Sequence, residues 1–277
     1  MAHPPGFRPH HNPISTSLHF TAPSRHIGDN SSPSFLSIST VATIVGYTGQ
    51  DASGKKYNIA GFCFADVGLN GSAKFSNLVA NGWNYENDEL RVLNAANCYS
   101  AAKYMYLTKE EAVEIFEDAD ALAGWYDADE ASYVGDQTFD LGSGFLTSIA
   151  SSAVTFTYAG QVFDQAFSIS CAGMKYAIIP NALPRSVKMS EISATGWNYE
   201  NDELRVLNPT NCQSAKKLMY LTKEEAVEIF EDADALAGWY DADEANYEGD
   251  FEVSSGDGFM TSLASPSIII NMPKAIK

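Results

Sequence analysis

Histidine is missing from residues 27–277: all five, His3, His10, His11, His19 and His26, fall in the first 35 positions. A Ser-His or Cys-His nucleophile pair therefore cannot form in the rest of the chain, and the spacing of the five fits no zinc pattern. Basic residues are scarce as well, 17 against 35 acids, which gives a formal net charge of −18 and a pI of about 4.5. Such a surface repels phosphate backbones, so nucleic acid is not an expected partner. No run of 18 or more apolar residues occurs, so no helical membrane span is expected. Neither a GxGxxG fingerprint nor a P-loop is present. The first 35 residues also lack the apolar stretch of a signal peptide, which leaves a mature chain, a different natural start or a cytosolic protein.

What is present is a duplication. Gly82 to Asn94 recurs as Gly196 to Asn208, and Thr108 to Ala131 recurs unchanged as Thr222 to Ala245, at a constant offset of 114 residues. A period of domain length points to two copies of one folding unit rather than to a solenoid. The length of 277 residues suits two such units. The acids are concentrated in the repeats, with 27 of the 35 in 82–136 and 196–250. Upstream of each Gly-Trp the copies diverge, and two surfaces with separate duties would be one reason.

Three regions are expected. Residues 1–35, rich in His, Pro, Ser and Asn without periodicity, read as a flexible or extended segment. Residues 36–152 and 153–277 read as two β-rich domains. Phe35 to Tyr47 alternates and is β-branched, as a strand requires, and Tyr57 to Phe64, Leu90 to Leu93 and Tyr104 to Leu107 add further short strands. One helix per copy is well signalled. Thr108 with Glu111 makes a capping box, Ala112, Ile115, Phe116, Ala119 and Leu122 form an apolar stripe, and Gly124 offers a stop. The fold class expected is therefore mainly β with one helix per domain, a β-sandwich or partly open barrel, duplicated in tandem.

Four sets of residues could carry chemistry. Asp127, Asp129, Glu130 and Asp136, matched by Asp241, Asp243, Glu244 and Asp250, form oxygen-rich loops that suit Ca²⁺, although the spacing is not that of an EF-hand. The competing reading is a solvated acidic turn, and no other cofactor is expected. Trp83, Trp125, Trp197 and Trp239 could stack on sugar rings if exposed, or fill two cores if not. Cys63, Cys98, Cys171 and Cys212 allow three pairings. In an exported protein one bridge per copy, Cys63–Cys98 and Cys171–Cys212, is favoured, against four buried free thiols. Carboxylates are abundant, but no isolated acid pair stands out for hydrolysis, so no enzyme is expected.

The run of Gly46-Tyr47, Ala60-Gly61, Leu107 to Ala112, Gly124 to Asp127 and Gly142 to Phe145, with its second-copy partners, resembles secreted bacterial surface proteins with tandem β-rich domains. The resemblance implies an extracellular or cell-surface location and a structural or adhesive role. Similar strands recur before, between and after the copies, and an outer strand is an open template for another chain. Phe35, Leu36, Ile38, Val41, Ile44 and Val45 at one end, with Ile268, Ile269 and Ile270 at the other, are the expected assembly strands of a filament or surface lattice built from copies of this chain. The alternative is an adhesin or carbohydrate-binding module with a glycan partner.

Overall fold

The computed structural model describes residues 45–276 apart from 67, 68, 70, 98 and 212. The first half runs β1 (Val45–Asp51), β2 (Tyr57–Gly61), β3 (Ser72–Lys74), β4 (Leu78–Asn81), β5 (Glu89–Leu93), β6 (Ser100–Leu107), helix α1 (Lys109–Phe116), β7 (Gly124–Asp127), β8 (Thr138–Asp140), β9 (Gly144–Ser148) and β10 (Thr155–Gln161). The second runs β11 (Phe167–Ser170), β12 (Ile178–Pro180), β13 (Val187–Lys188), β14 (Ser193–Thr195), β15 (Glu203–Leu207), β16 (Ser214–Leu221), helix α2 (Lys223–Phe230), β17 (Gly238–Asp241), β18 (Glu252–Val253), β19 (Gly258–Ser262) and β20 (Ile269–Met272). The protein is mainly β, and its named strand pairs are antiparallel. Each half carries a five-stranded sheet, β2-β9-β5-β6-β7 or β12-β19-β15-β16-β17, and a three-stranded sheet, β1-β10-β4 or β11-β20-β14.

Strand β10 pairs with β1 on one side and β4 on the other. It therefore belongs to the first half's sheet, although the sequence places it at the start of the second copy. The reason is its alternation: Phe156 and Tyr158 point into the first core and are fully buried there.

The helix begins as its sequence dictates. The Thr108 hydroxyl accepts from Glu111 N–H at 3.3 Å, and Glu111 Oε2 accepts from Thr108 N–H at 2.8 Å. It ends earlier than Gly124 suggests. Glu117 turns left-handed at φ 52°, and Lys109 Nζ donates to the carbonyls of Ala119 and Ala121, folding the next residues back over the first turn. The apolar stripe is cut short as a result. Ala112 is buried and Phe116 stacks on Tyr126, but Ile115 and Leu122 are exposed. Helix α2 repeats every one of these contacts.

The glycine that opens each repeat has a steric purpose. Gly82 sits at φ +75°, and a Cβ there would lie 2.1 Å from the Ala153 carbonyl oxygen; Gly196 repeats this against Ser267 at 2.2 Å.

The two cores differ in filling more than in outline. Phe75, Phe139, Phe156 and Tyr158 of the first are replaced, at the 114-residue offset, by Met189, Val253, Ile270 and Met272. Changing both members of a packed set preserves volume better than changing one. This repacking accounts for part of the divergence outside the repeats.

The halves meet through a reciprocal contact. Tyr57 N–H donates to the Pro209 carbonyl and Tyr176 N–H to the Ala95 carbonyl, both at 2.8 Å. Strand register makes Tyr176 the counterpart of Tyr57, and Pro209 lies 114 residues after Ala95. Ile59, Ile178 and Met260 form the buried apolar patch between them, with Leu93 and Leu207 at its margin. Matched residues exchanging matched contacts are the signature of a twofold, isologous interface, here within one chain.

Candidate functional site

Strand β1 offers an open sheet edge. Its only strand partner among the described residues is β10, and Val45, Tyr47 and Gly49 project to solvent. No lysine or proline blunts the strand, and its first charge is Asp51 at the far end. In the second half β11 occupies the equivalent edge. Of the expected assembly residues, Val45 begins β1, whereas Phe35, Leu36, Ile38, Val41 and Ile44 lie outside the described residues. Ile268, Ile269 and Ile270 do not form an edge. Ile269 and Ile270 lie in β20, which is flanked by both β11 and β14, and Ile268 and Ile270 are buried. The last strand is thus an interior one, because its alternating isoleucines close the second core.

The acidic loops are tied to backbone and lysines. Asp127 Oδ1 accepts from Asp129 N–H and Glu130 N–H, both at 2.9 Å, so the carboxylate caps its own turn. Asp241 does the same for Asp243 and Glu244 and lies 3.4 Å from Lys216 Nζ. Burial pushes the Asp241 carboxyl up, but those two N–H groups and Lys216 hold it below the ordinary aspartate value. Asp136 pairs with Lys74 at 2.9 Å and Asp250 with Lys188 at 2.8 Å, on the surface. Hydrogen bonding to Lys188 and its charge lower the Asp250 carboxyl. Among the described residues no three His, Cys, Asp or Glu side chains converge as a metal cradle.

The tryptophans belong to the cores, which corrects the stacking role. Trp125 and Trp239 are fully buried, and Trp83 and Trp197 are 7% and 9% exposed. Trp125 lies flat on Phe75 at 4.9 Å and donates to the Leu78 carbonyl at 2.6 Å; Trp239 donates to the Ile192 carbonyl at 2.9 Å. Trp83 and Trp197 pack edge-on against them at 5.4 and 5.1 Å. None of the four presents a face to a sugar.

Cys63 and Cys171 are free, buried thiols, so the favoured bridges through them are not formed; Cys98 and Cys212 lie outside the described residues. Cys63 faces the other half, with its Sγ 3.1 Å from Ser255 Oγ. Burial pushes its thiol up to about 12 and that of Cys171 up to about 11, so both stay protonated and unreactive.

Two acids that sequence reasoning passed over organise the turns at the start of each repeat. Asp88 Oδ1 accepts from Ala150 and Ser151 N–H at 2.7 and 3.0 Å, and its Oδ2 from Asn84 N–H at 2.8 Å. Asp202 makes the same three bonds to Ala264, Ser265 and Asn198. Burial alone would raise the Asp202 carboxyl, yet these bonds hold it below its ordinary value. The available signal was their place in an Asn-x-x-x-Asp turn, hidden among many other acids. Comparison with protein-family models, with curated proteins and with solved structures gives no match to this chain.

Proposed function

We propose that this chain is a non-catalytic structural subunit that assembles with copies of itself, one sheet edge adding to a strand of the next molecule. The observation that carries the reading is the open outer edge of β1, uncharged from Val45 to Gln50 and preceded by the alternating apolar sequence of Phe35 to Ile44. Unpaired N–H and C=O groups along such an edge are satisfied by another strand, and contacts that do not close give a filament. The duplication supports this reading, because β11 supplies a second edge on the same molecule. A cell-surface or extracellular setting rests on the resemblance to secreted bacterial surface proteins. The adhesin alternative loses its main support with the burial of the four tryptophans.

Electron microscopy of undenatured protein, with its mass in solution, tests the proposal. Filaments or sheets are expected from the intact chain. Tyr47→Lys places a charge on the half-exposed face of β1 and should leave a folded monomer, as should deletion of residues 1–40. An intact chain that stays monomeric near 30.0 kDa refutes self-assembly. Polymers formed equally well by both variants refute addition at this edge.

A further inference from the structure

A hollow of about 630 Å³ runs along β11, with Phe145, Phe163, Met174 and Ile178 among its apolar walls. Every residue from Phe167 to Cys171 lines it. Successive side chains of a strand point to opposite faces of its sheet. A hollow that meets both sets therefore follows the edge of the strand rather than either face. That edge is the unpaired one. Cys171 N–H donates to the Ile268 carbonyl at 2.8 Å, and bonding alternates along an antiparallel pair. The register then gives Phe167 and Ile169 to β20 and directs the backbone N–H and C=O of Ser168 and Ser170 away from it. No strand stands on that side among the described residues. Asp140 is the only charged residue among the described lining, and it accepts from Ser72 Oγ at 2.8 Å.

The two matching edge strands are entered differently. β11 is reached from β10 through residues 162–166, where Asp164 Oδ1 accepts from Ile276 N–H at 2.9 Å and Phe163 packs beside Phe167. This connection is fastened at both ends, so β11 has no free chain to lend. β1 is preceded by residues 1–44. The nearest ten, 35–44, carry no charge and contain no Gly, Pro, Asn or Asp with which to reverse the chain. Fully extended, ten residues span about 33 Å. Their alternation matches that of β11. Leu36, Ile38, Ala42 and Ile44 fall on one face of an extended segment, and Ser37, Ser39 and Thr43 on the other. In β11 Phe167 and Ile169 turn to the second core, and Ser168 and Ser170 turn to solvent.

We propose that the hollow beside β11 receives residues 35–44 of a neighbouring copy as an added strand. The proposal rests on the self-assembly reading and names its donor and its acceptor. A strand laid there pairs with the free N–H and C=O groups of Ser168 and Ser170. With its apolar face inward it sets Leu36 and Ile38 beside Phe167 and Ile169, against the wall of Phe163 and Ile178. Its other face then sets Ser37 and Ser39 beside Ser168 and Ser170, a hydroxyl pairing that suits neighbouring strands. An uncharged segment also brings no ion to be desolvated in an apolar groove. The lack of a turn residue favours the groove of a neighbour over that of the same chain. Donor and acceptor belong to different halves, so the contact is head-to-tail and repeats without closing.

Electron microscopy of the full chain tests the proposal in two ways. Ser170→Pro removes the outward N–H and blocks pairing on that side, while the bonds of Ile169 and Cys171 to β20 remain; proline is tolerated on an edge strand. The variant should keep the circular dichroism of the parent and form no filaments. Should it fail to fold, the second measurement decides. A synthetic peptide of residues 35–44, added in excess to the unaltered chain, should occupy the hollow and prevent filament growth, whereas the same peptide carrying Ile38→Lys should not. Normal filaments from folded Ser170→Pro overturn the proposal, and so do filaments unaffected by the peptide. Assembly stopped by Tyr47→Lys but not by Ser170→Pro overturns this acceptor and leaves self-assembly standing. An unaltered chain that never assembles overturns both.

Discussion

Asp202→Asn isolates the contribution of one carboxylate that the fold uses three times. Its Oδ1 accepts from Ala264 N–H at 2.7 Å and Ser265 N–H at 3.0 Å, and its Oδ2 from Asn198 N–H at 2.8 Å. Asparagine has nearly the same shape but a single acceptor oxygen. Whichever way the amide is turned, its NH2 group confronts at least one backbone N–H. One charge-assisted bond is lost outright, at about 1.5–3 kcal/mol, and the survivors become neutral ones. A total of about 3 kcal/mol follows. For a chain of this size that lowers Tm by about 6–12 °C, at about 2–4 °C per kcal/mol. The pH dependence gives an independent check. Folding lowers the Asp202 pKa, so its contribution is complete above the unfolded value of about 3.9. That contribution is lost as pH falls through the folded value. Thermal melts of wild type and variant should therefore differ near neutral pH and converge in acid. Asp88→Asn provides the matched control, because its carboxylate holds the same three groups in the first half. A Tm for Asp202→Asn within about 1 °C of wild type at neutral pH would refute the reasoning. So would a deficit that persists unchanged into acid.

Two further predictions concern the contact between the halves and the thiols. A Cβ on Gly144 would lie 2.3 Å from Ile178 Cγ2 and 2.8 Å from the Ile178 carbonyl oxygen. Gly144→Ala should therefore cost about 1–3 kcal/mol and split or broaden the melt as the halves part, whereas an unchanged single transition would show that this contact does not couple them. With Cys98 and Cys212 replaced by serine, the native protein should react with a thiol reagent only after denaturation, since Cys63 and Cys171 are buried with raised pKa values. Prompt labelling of two thiols per native chain would contradict that burial.

Local rules in the sequence were sufficient for the class of the fold and for the helix start. Alternating β-branched residues make strands, and Thr108 with Glu111 satisfies the first N–H groups of the helix through contacts three residues apart. The duplication was equally legible, because identity at a constant offset needs no structure to be seen. Long-range contacts decided the rest. Alternation shows that 155–161 is a strand, but not that its neighbours are β1 and β4. A run of isoleucines reads the same at an open edge as between β11 and β14, where Ile270 is buried. A tryptophan beside a glycine turn suits a core and a sugar face alike until Phe75 is found stacked on Trp125. The direction of Cys63 toward Ser255, 192 residues away, has no local signal at all. Sequence patterns report what a residue does with its near neighbours along the chain, whereas edges, interfaces and cavities are made by residues that only folding brings together.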